Sequence, residues 1–99
     1  MVKHIVMFAL KDDLDAAKRQ EVMEAFRQGI EALPAVIPFI REIRVDFNIN
    51  PAETTHICLT SLFDSLDDVK AYAVHPSHVS VAGALKPYLK HRACVDYAC

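Results

Sequence analysis

Hydrophobic and polar positions along the chain follow two periods, one of strands and one of helices. Residues 3–10 (Lys-His-Ile-Val-Met-Phe-Ala-Leu) are rich in β-branched and aromatic side chains and read as a strand. His4, Val6, Phe8 and Leu10 share one face, and Ile5, Met7 and Ala9 the other, so both faces are largely apolar. Asp12, Asp13 and Asp15 then precede a helix, placing negative charge where the helix dipole favours it. Leu14, Met23, Phe26, Ile30 and Leu33 recur at helical spacing, with Val22 beside them, and Pro34 stops the helix. Residues 35–38 form a proline-bounded connection. Residues 40–48 alternate, Ile43, Val45 and Phe47 against Glu42, Arg44 and Asp46, as a half-buried strand does.

Residues 48–53 (Asn-Ile-Asn-Pro-Ala-Glu) have turn composition, and residues 55–63 make a third strand. There His56, Cys58 and Thr60 lie on one face and Ile57 and Leu59 on the other. Ser65 caps a short helix from Leu66 to Val74, with Asp67 and Asp68 in its first turn. His75-Pro76 breaks it, because proline disfavours helical geometry in the residue before it. Pro76 also suits the first turn of a second helix, about Ser77 to Leu85, whose end Pro87 marks. Residues 90–97 alternate as a fourth strand, His91, Ala93, Val95 and Tyr97 against Arg92, Cys94 and Asp96.

Two β-α-β units in series predict an α+β, ferredoxin-like βαββαβ domain, a four-stranded antiparallel sheet with its helices on one face. The other face is then expected to carry Ile5, Met7, Ile57 and Leu59, more apolar surface than a soluble monomer usually exposes. A homodimer joined through the sheet face buries it.

The whole chain, residues 1–99, holds one domain. A net charge of -2 and 24% charged residues give no electrostatic reason to bind nucleic acid or an anionic membrane. No apolar run is long enough to span a bilayer, and the N-terminus opens directly into the first strand without the pattern of a cleavable signal peptide. Three cysteines with no CxxC spacing argue against a disulfide framework and for a cytoplasmic setting, with Cys58 as a small buried hydrophobe and Cys99 as an exposed thiol. Two glycines exclude every glycine-rich phosphate loop.

The candidate chemistry rests on histidine and tyrosine. His4 shares its face with Val6 and Phe8, which must meet the Phe26 stripe of the first helix, so it is expected to point between sheet and helices. His56 carries the same expectation through Cys58. Tyr72 precedes the His75-Pro76 break, and His78 lies in the first turn of the next helix. An imidazole there is biased towards its neutral form, which can act as a base, while a tyrosine hydroxyl can donate to a carbonyl or enolate oxygen. The simpler reading makes His75 a helix cap and His4 a core histidine bonded to backbone. No Cys/His spacing matches a zinc module, although four histidines on one cavity could hold a transition metal. No serine or cysteine sits on a nucleophile elbow.

With these residues in place, the chain resembles the stress-responsive dimeric A/B barrel (Dabb) family nearly end to end. The resemblance lies in Lys3-His4-Ile5-Val6, Leu33-Pro34, Thr55-His56, Phe63-Asp64-Ser65, Tyr72-x-x-His75-Pro76-x-His78 and Val95-Asp96-Tyr97. It implies a ferredoxin-like fold whose sheets pair into a dimeric α+β barrel. A plant branch of the family closes linear polyketides by an intramolecular aldol reaction. Carried over by motif, Tyr72 and His78 would be catalytic and His4 and His56 would line the site. Val22, Met23 and Phe26 from the first helix, with Val81 and Ala82 from a later one, would form the lid. These side chains are smaller than the aromatic ones of the cyclase branch, so the resemblance carries the family and not the substrate. Some members hold magnesium near the loop after the first helix. Here residues 35–38 offer only backbone carbonyls, and no metal is expected.

Three readings follow. The first is a homodimer binding a small apolar or aromatic carbonyl ligand between sheet and helices, with Val6, Phe8, Met23, Phe26, Cys58, His75 and Val81 beside the four polar residues. The second is an acid/base enzyme of polyketide-cyclase type, with His78 as base, Tyr72 as donor and no cofactor, or a cofactor-free monooxygenase. The third is a structural module with a filled interior.

Overall fold

A computed structural model describes all residues, Met1–Cys99. Four strands, β1 (Val2–Leu10), β2 (Glu42–Phe47), β3 (Ile57–Phe63) and β4 (Leu89–Ala98), form one sheet in the order β2-β3-β1-β4. Every neighbouring pair is antiparallel. Three helices, α1 (Ala16–Glu31), α2 (Leu66–Val74) and α3 (Pro76–Leu85), complete the βαββαβ order, which is the ferredoxin-like architecture. Its connections are set locally. Asp15 caps α1 by accepting from the Lys18 amide at 2.7 Å, and Ser65 caps α2 by accepting from the Asp68 amide at 3.2 Å. Pro34 lies in a short 3-10 turn, Leu33–Ala35, that follows α1.

The core lies between the sheet and the helices. Val6, Phe8 and Leu10 of β1 meet Val22, Met23, Phe26 and Ile30 of α1 there, with Phe8 and Phe26 edge to face at 5.2 Å between ring centroids. On β2, Val45 is buried in this core and Phe47 lies under the Arg27 guanidinium, 3.9 Å from the ring centroid. The Glu31 carboxylate at the end of α1 accepts from the Val45 amide at 3.0 Å, occupying a donor on the outer edge of β2.

The face of β3 is the reverse of the sequence expectation. Ile57, Leu59, Ser61 and Phe63 face the helices and are buried, whereas Cys58, Thr60 and Leu62 face the opposite side. Both sets contain apolar residues, so alternation alone left the phase open. Phe63 decides it, because a fully buried aromatic ring needs the thick side of the sheet, and Ile57 and Leu59 share its parity.

The far face of the sheet therefore takes its exposed apolar residues from β1 and β4, while β3 adds Leu62 and Cys58. Ile5 pairs with Val95 and Met7 with Ala93, and Met7, Val95 and Tyr97 stand exposed. No helix is long and apolar enough to cross a membrane.

Candidate functional site

Helices α2 and α3 are separated by a single residue, His75, whose extended backbone and side-chain cap turn the chain sharply. Its Nδ1 accepts from the Ser77 amide at 3.1 Å, which completes the first turn of α3. The break brings Tyr72, near the end of α2, against His78, near the start of α3, with ring centroids 4.3 Å apart. His4, on the central strand β1, meets Tyr72 edge-on at 6.2 Å.

A cavity of about 520 Å³ opens beside these three rings. Val6 and Phe8 of β1, Phe26 of α1 and Leu59 of β3 supply its apolar inner wall, and Ala82, Gly83 and Leu85 of α3 its outer wall. A Cβ added at Gly83 would meet nothing within 4 Å, so this helical glycine leaves space that any other residue would occupy. Lys86 and Arg92 also line the cavity, and neither has a carboxylate within ion-pair distance. The volume and the mixture of apolar wall with few polar groups suit a small organic molecule.

Each polar group has a defined state. The His4 Nδ1 lies 2.5 Å from a carboxylate oxygen of Asp96; with Asp96 accepting, Nδ1 is the donor and Nε2 is left for another partner. The His78 Nδ1 donates to the Ala73 carbonyl at 3.0 Å, which fixes that nitrogen as the protonated one and leaves the Nε2 lone pair free. Burial lowers the His78 pKa below its ordinary value and outweighs the opposing carbonyl bond, so at neutral pH the ring is a neutral base. Burial also pushes the Tyr72 phenol up, keeping it protonated as a donor. The Tyr72 hydroxyl is buried with no hydrogen-bond partner. Such a group is a cost to the fold unless something else satisfies it.

Of the residues singled out from the sequence, His4, Val6, Phe8, Phe26, Tyr72 and His78 line this cavity. Met23 lies in the core, and Val81 lines a separate cleft between α1 and α3 with Val22 and Gly29. Cys58 is on the far face of the sheet, opposite Met7, because of the reversed phase of β3. His56 does not join the cavity either. Its Nδ1 accepts from the Leu10 amide at 3.0 Å at the end of the sheet, and burial, followed by the Arg19 charge, lowers its pKa. His75 is spent on its cap. Sequence reasoning missed Asp96, Cys94 and Arg92 as site residues. Their shared face on β4 was visible, but only the pairing of His4 with Asp96 and Val6 with Cys94 shows that it points towards the helices.

The topology, with a cavity held between sheet and helix break, is that of a ferredoxin-like α+β domain. The chain belongs to the Stress Responsive A/B Barrel Domain (Dabb) family, whose profile matches residues 2–99. It is similar to a dimeric protein of unknown function and ferredoxin-like fold from Bacteroides fragilis, at 52% identity and a TM-score of 0.97, covering 99% of this chain and 95% of that one. It also resembles olivetolic acid cyclase of Cannabis sativa, 23% identical over 97% of this chain and 94% of that protein. A third relative is the stress-response A/B barrel domain-containing protein DABB1 of Arabidopsis thaliana, 29% identical over 98% of this chain. The chain spans about half of that protein, 46% of its length.

Replacing Tyr72 by Phe removes the orphaned hydroxyl and keeps the ring. Tyr72→Phe is expected to raise the stability of the ligand-free protein by about 1 kcal/mol, read as a higher midpoint in urea denaturation.

Proposed function

We propose that this protein is a homodimer that binds a small, largely apolar carbonyl compound in the cavity between β1, α2 and α3. The observation that carries the reading is the Tyr72 hydroxyl, buried and without a partner beside a cavity of about 520 Å³. A carbonyl oxygen accepting from it would satisfy the group, and the aliphatic and aromatic wall would take the rest of the ligand. Lys86 and Arg92 favour an anionic substituent on that ligand. Three unpaired cysteines, Cys58, Cys94 and Cys99, fit a reducing cytoplasm. The test is a thermal-shift and amide-NMR screen of aromatic and aliphatic keto acids. A hit should perturb Tyr72, Ala73 and His78, and Gly83→Leu, which adds a side chain at a position in the cavity lining where a Cβ meets nothing, should weaken it at least tenfold. Binding that survives Gly83→Leu unchanged overturns the assignment of the cavity.

A second reading, proton transfer on the bound carbonyl compound, is favoured by the fixed tautomer of His78. With Nδ1 held by Ala73, Nε2 can take a proton from the carbon next to the carbonyl, while Tyr72 donates to the oxygen that becomes negative. Olivetolic acid cyclase, 23% identical to this chain, by its name closes a ring. Deuterium exchange into a bound keto acid is expected to fall by roughly a hundredfold or more in His78→Ala. Because the His78 pKa is lowered, its base form persists at neutral pH, and exchange should fall only as pH drops below the ordinary imidazole value of 6.5. Exchange that is unaffected by the substitution removes the catalytic role and leaves the binding role standing.

The dimer rests on the far face of the sheet, where Met7, Val95 and Tyr97 are exposed, and on the dimeric description of the Bacteroides fragilis protein. Met7→Glu is expected to convert the dimer to a monomer in sedimentation velocity while leaving the helical circular dichroism intact.

A further inference from the structure

Strands β1 and β4 bring three different metal-ligating side chains to one point on the helix side of the sheet. Cys94 and Asp96 are two residues apart on β4 and so share a face, and His4 stands directly opposite Asp96 on β1. The Cys94 thiol lies 3.6 Å from the His4 Nδ1 and 4.0 Å from Oδ2 of Asp96, and the His4 Nδ1 lies 2.5 Å from Oδ1. All three ligand atoms fall within 4.8 Å of one another, and no other trio of His, Cys, Asp or Glu in the chain does so.

We propose that His4, Cys94 and Asp96 bind a divalent transition-metal ion of the zinc class, with the remaining coordination position open to solvent or a small ligand. Bond lengths of about 2.3 Å to sulfur and about 2.0 Å to nitrogen place those atoms roughly 3.5 Å apart around a tetrahedral ion, close to the separation found. The sulfur faces Oδ2 and His4 faces Oδ1, so the Asp96 carboxylate must turn to present one oxygen to the ion. The His4–Asp96 pair must open by somewhat less than about 1 Å, with the ring proton moving from Nδ1 to Nε2 so that a neutral imidazole binds the ion through Nδ1. A thiolate with an imidazole selects zinc, cobalt or copper over magnesium and calcium, which prefer all-oxygen sites. Thiolate and carboxylate together balance the charge of a dication. Burial, then the Asp96 charge, holds the Cys94 thiol above its ordinary pKa, and the nearby Arg92 only partly offsets this.

The two kinds of exposure suit such a site. The His4 side chain is 10% exposed and held by the sheet, whereas that of Asp96 is 30% exposed and Cys94 is at the surface, so an ion has a rigid anchor and a path of entry. Binding releases the thiol proton, so affinity should rise with pH. The site shares His4 with the neighbouring cavity but takes its other two ligands, Cys94 and Asp96, from outside the cavity lining.

The test uses the untagged, reduced protein titrated with cobalt(II) alone and then with zinc(II). The expected result is one cobalt per chain, with a thiolate-to-cobalt charge-transfer band in the near ultraviolet that zinc abolishes. Cys94→Ser should remove the band and weaken binding at least tenfold. Its metal-free denaturation midpoint should be unchanged, because the side chain is exposed. The double replacement Cys58→Ser with Cys99→Ser should retain the band. Absence of saturable cobalt uptake at micromolar protein overturns the site. A band that survives Cys94→Ser and disappears in the double variant assigns the metal to adventitious thiols and overturns it equally.

Discussion

A strand at the centre of a sheet must serve two surfaces at once, and β1 is that strand here. It pairs with β3 on one side and β4 on the other, so no edge of it meets water. Alternation then commits His4, Val6 and Phe8 to the helices and Ile5 and Met7 to the opposite face. A slip of one residue would expose the core half and bury the other. The core, the cavity wall and the apolar far face are thus set by one register. The ligand triad across to β4 follows from it as well, because His4 can meet Asp96 only in this alignment.

The second determinant is the break between α2 and α3. A continuous helix would have put Tyr72 and His78 six residues apart, far round the helix from one another. Pro76 and the His75 cap replace that spacing with a turn that brings the two rings into tilted contact. The contact leaves a phenol hydroxyl buried without a partner, a feature that costs stability and is tolerated at sites where a ligand completes it.

The element order, the caps and the His-Pro break were legible in the sequence because each has a local cause: Asp15 and Ser65 ahead of apolar periodicity, and Pro76 after a residue that cannot stay helical. The alternation of β2 was equally plain, since one of its faces is wholly charged. β3 was different. His56 and Cys58 were assigned to the cavity by analogy with His4, but the weight of Phe63 and Leu59 on the other parity turns the strand over. Of the site, His4, Tyr72 and His78 could be found by parity and motif. Asp96, Cys94 and Arg92 could not, because a polar strand face does not say which side of a sheet it lies on until its neighbour is known. Gly83 matters through the space it leaves, which a one-dimensional pattern does not show.

The carboxylate of Glu31 has a role beyond the chain that carries it. By occupying the Val45 amide on the outer edge of β2, it denies that donor to a foreign strand, while Arg27 roofs the neighbouring Phe47. The two outer strands, β2 and β4, are thus not equivalent, because β2 has one of its outward donors occupied within the chain. Molecules whose two margins both accept strands can join head to tail without limit, and that is how fibres grow. Capping a donor on the β2 margin leaves a foreign strand one fewer group to pair with there, which weighs against such open-ended growth from that side.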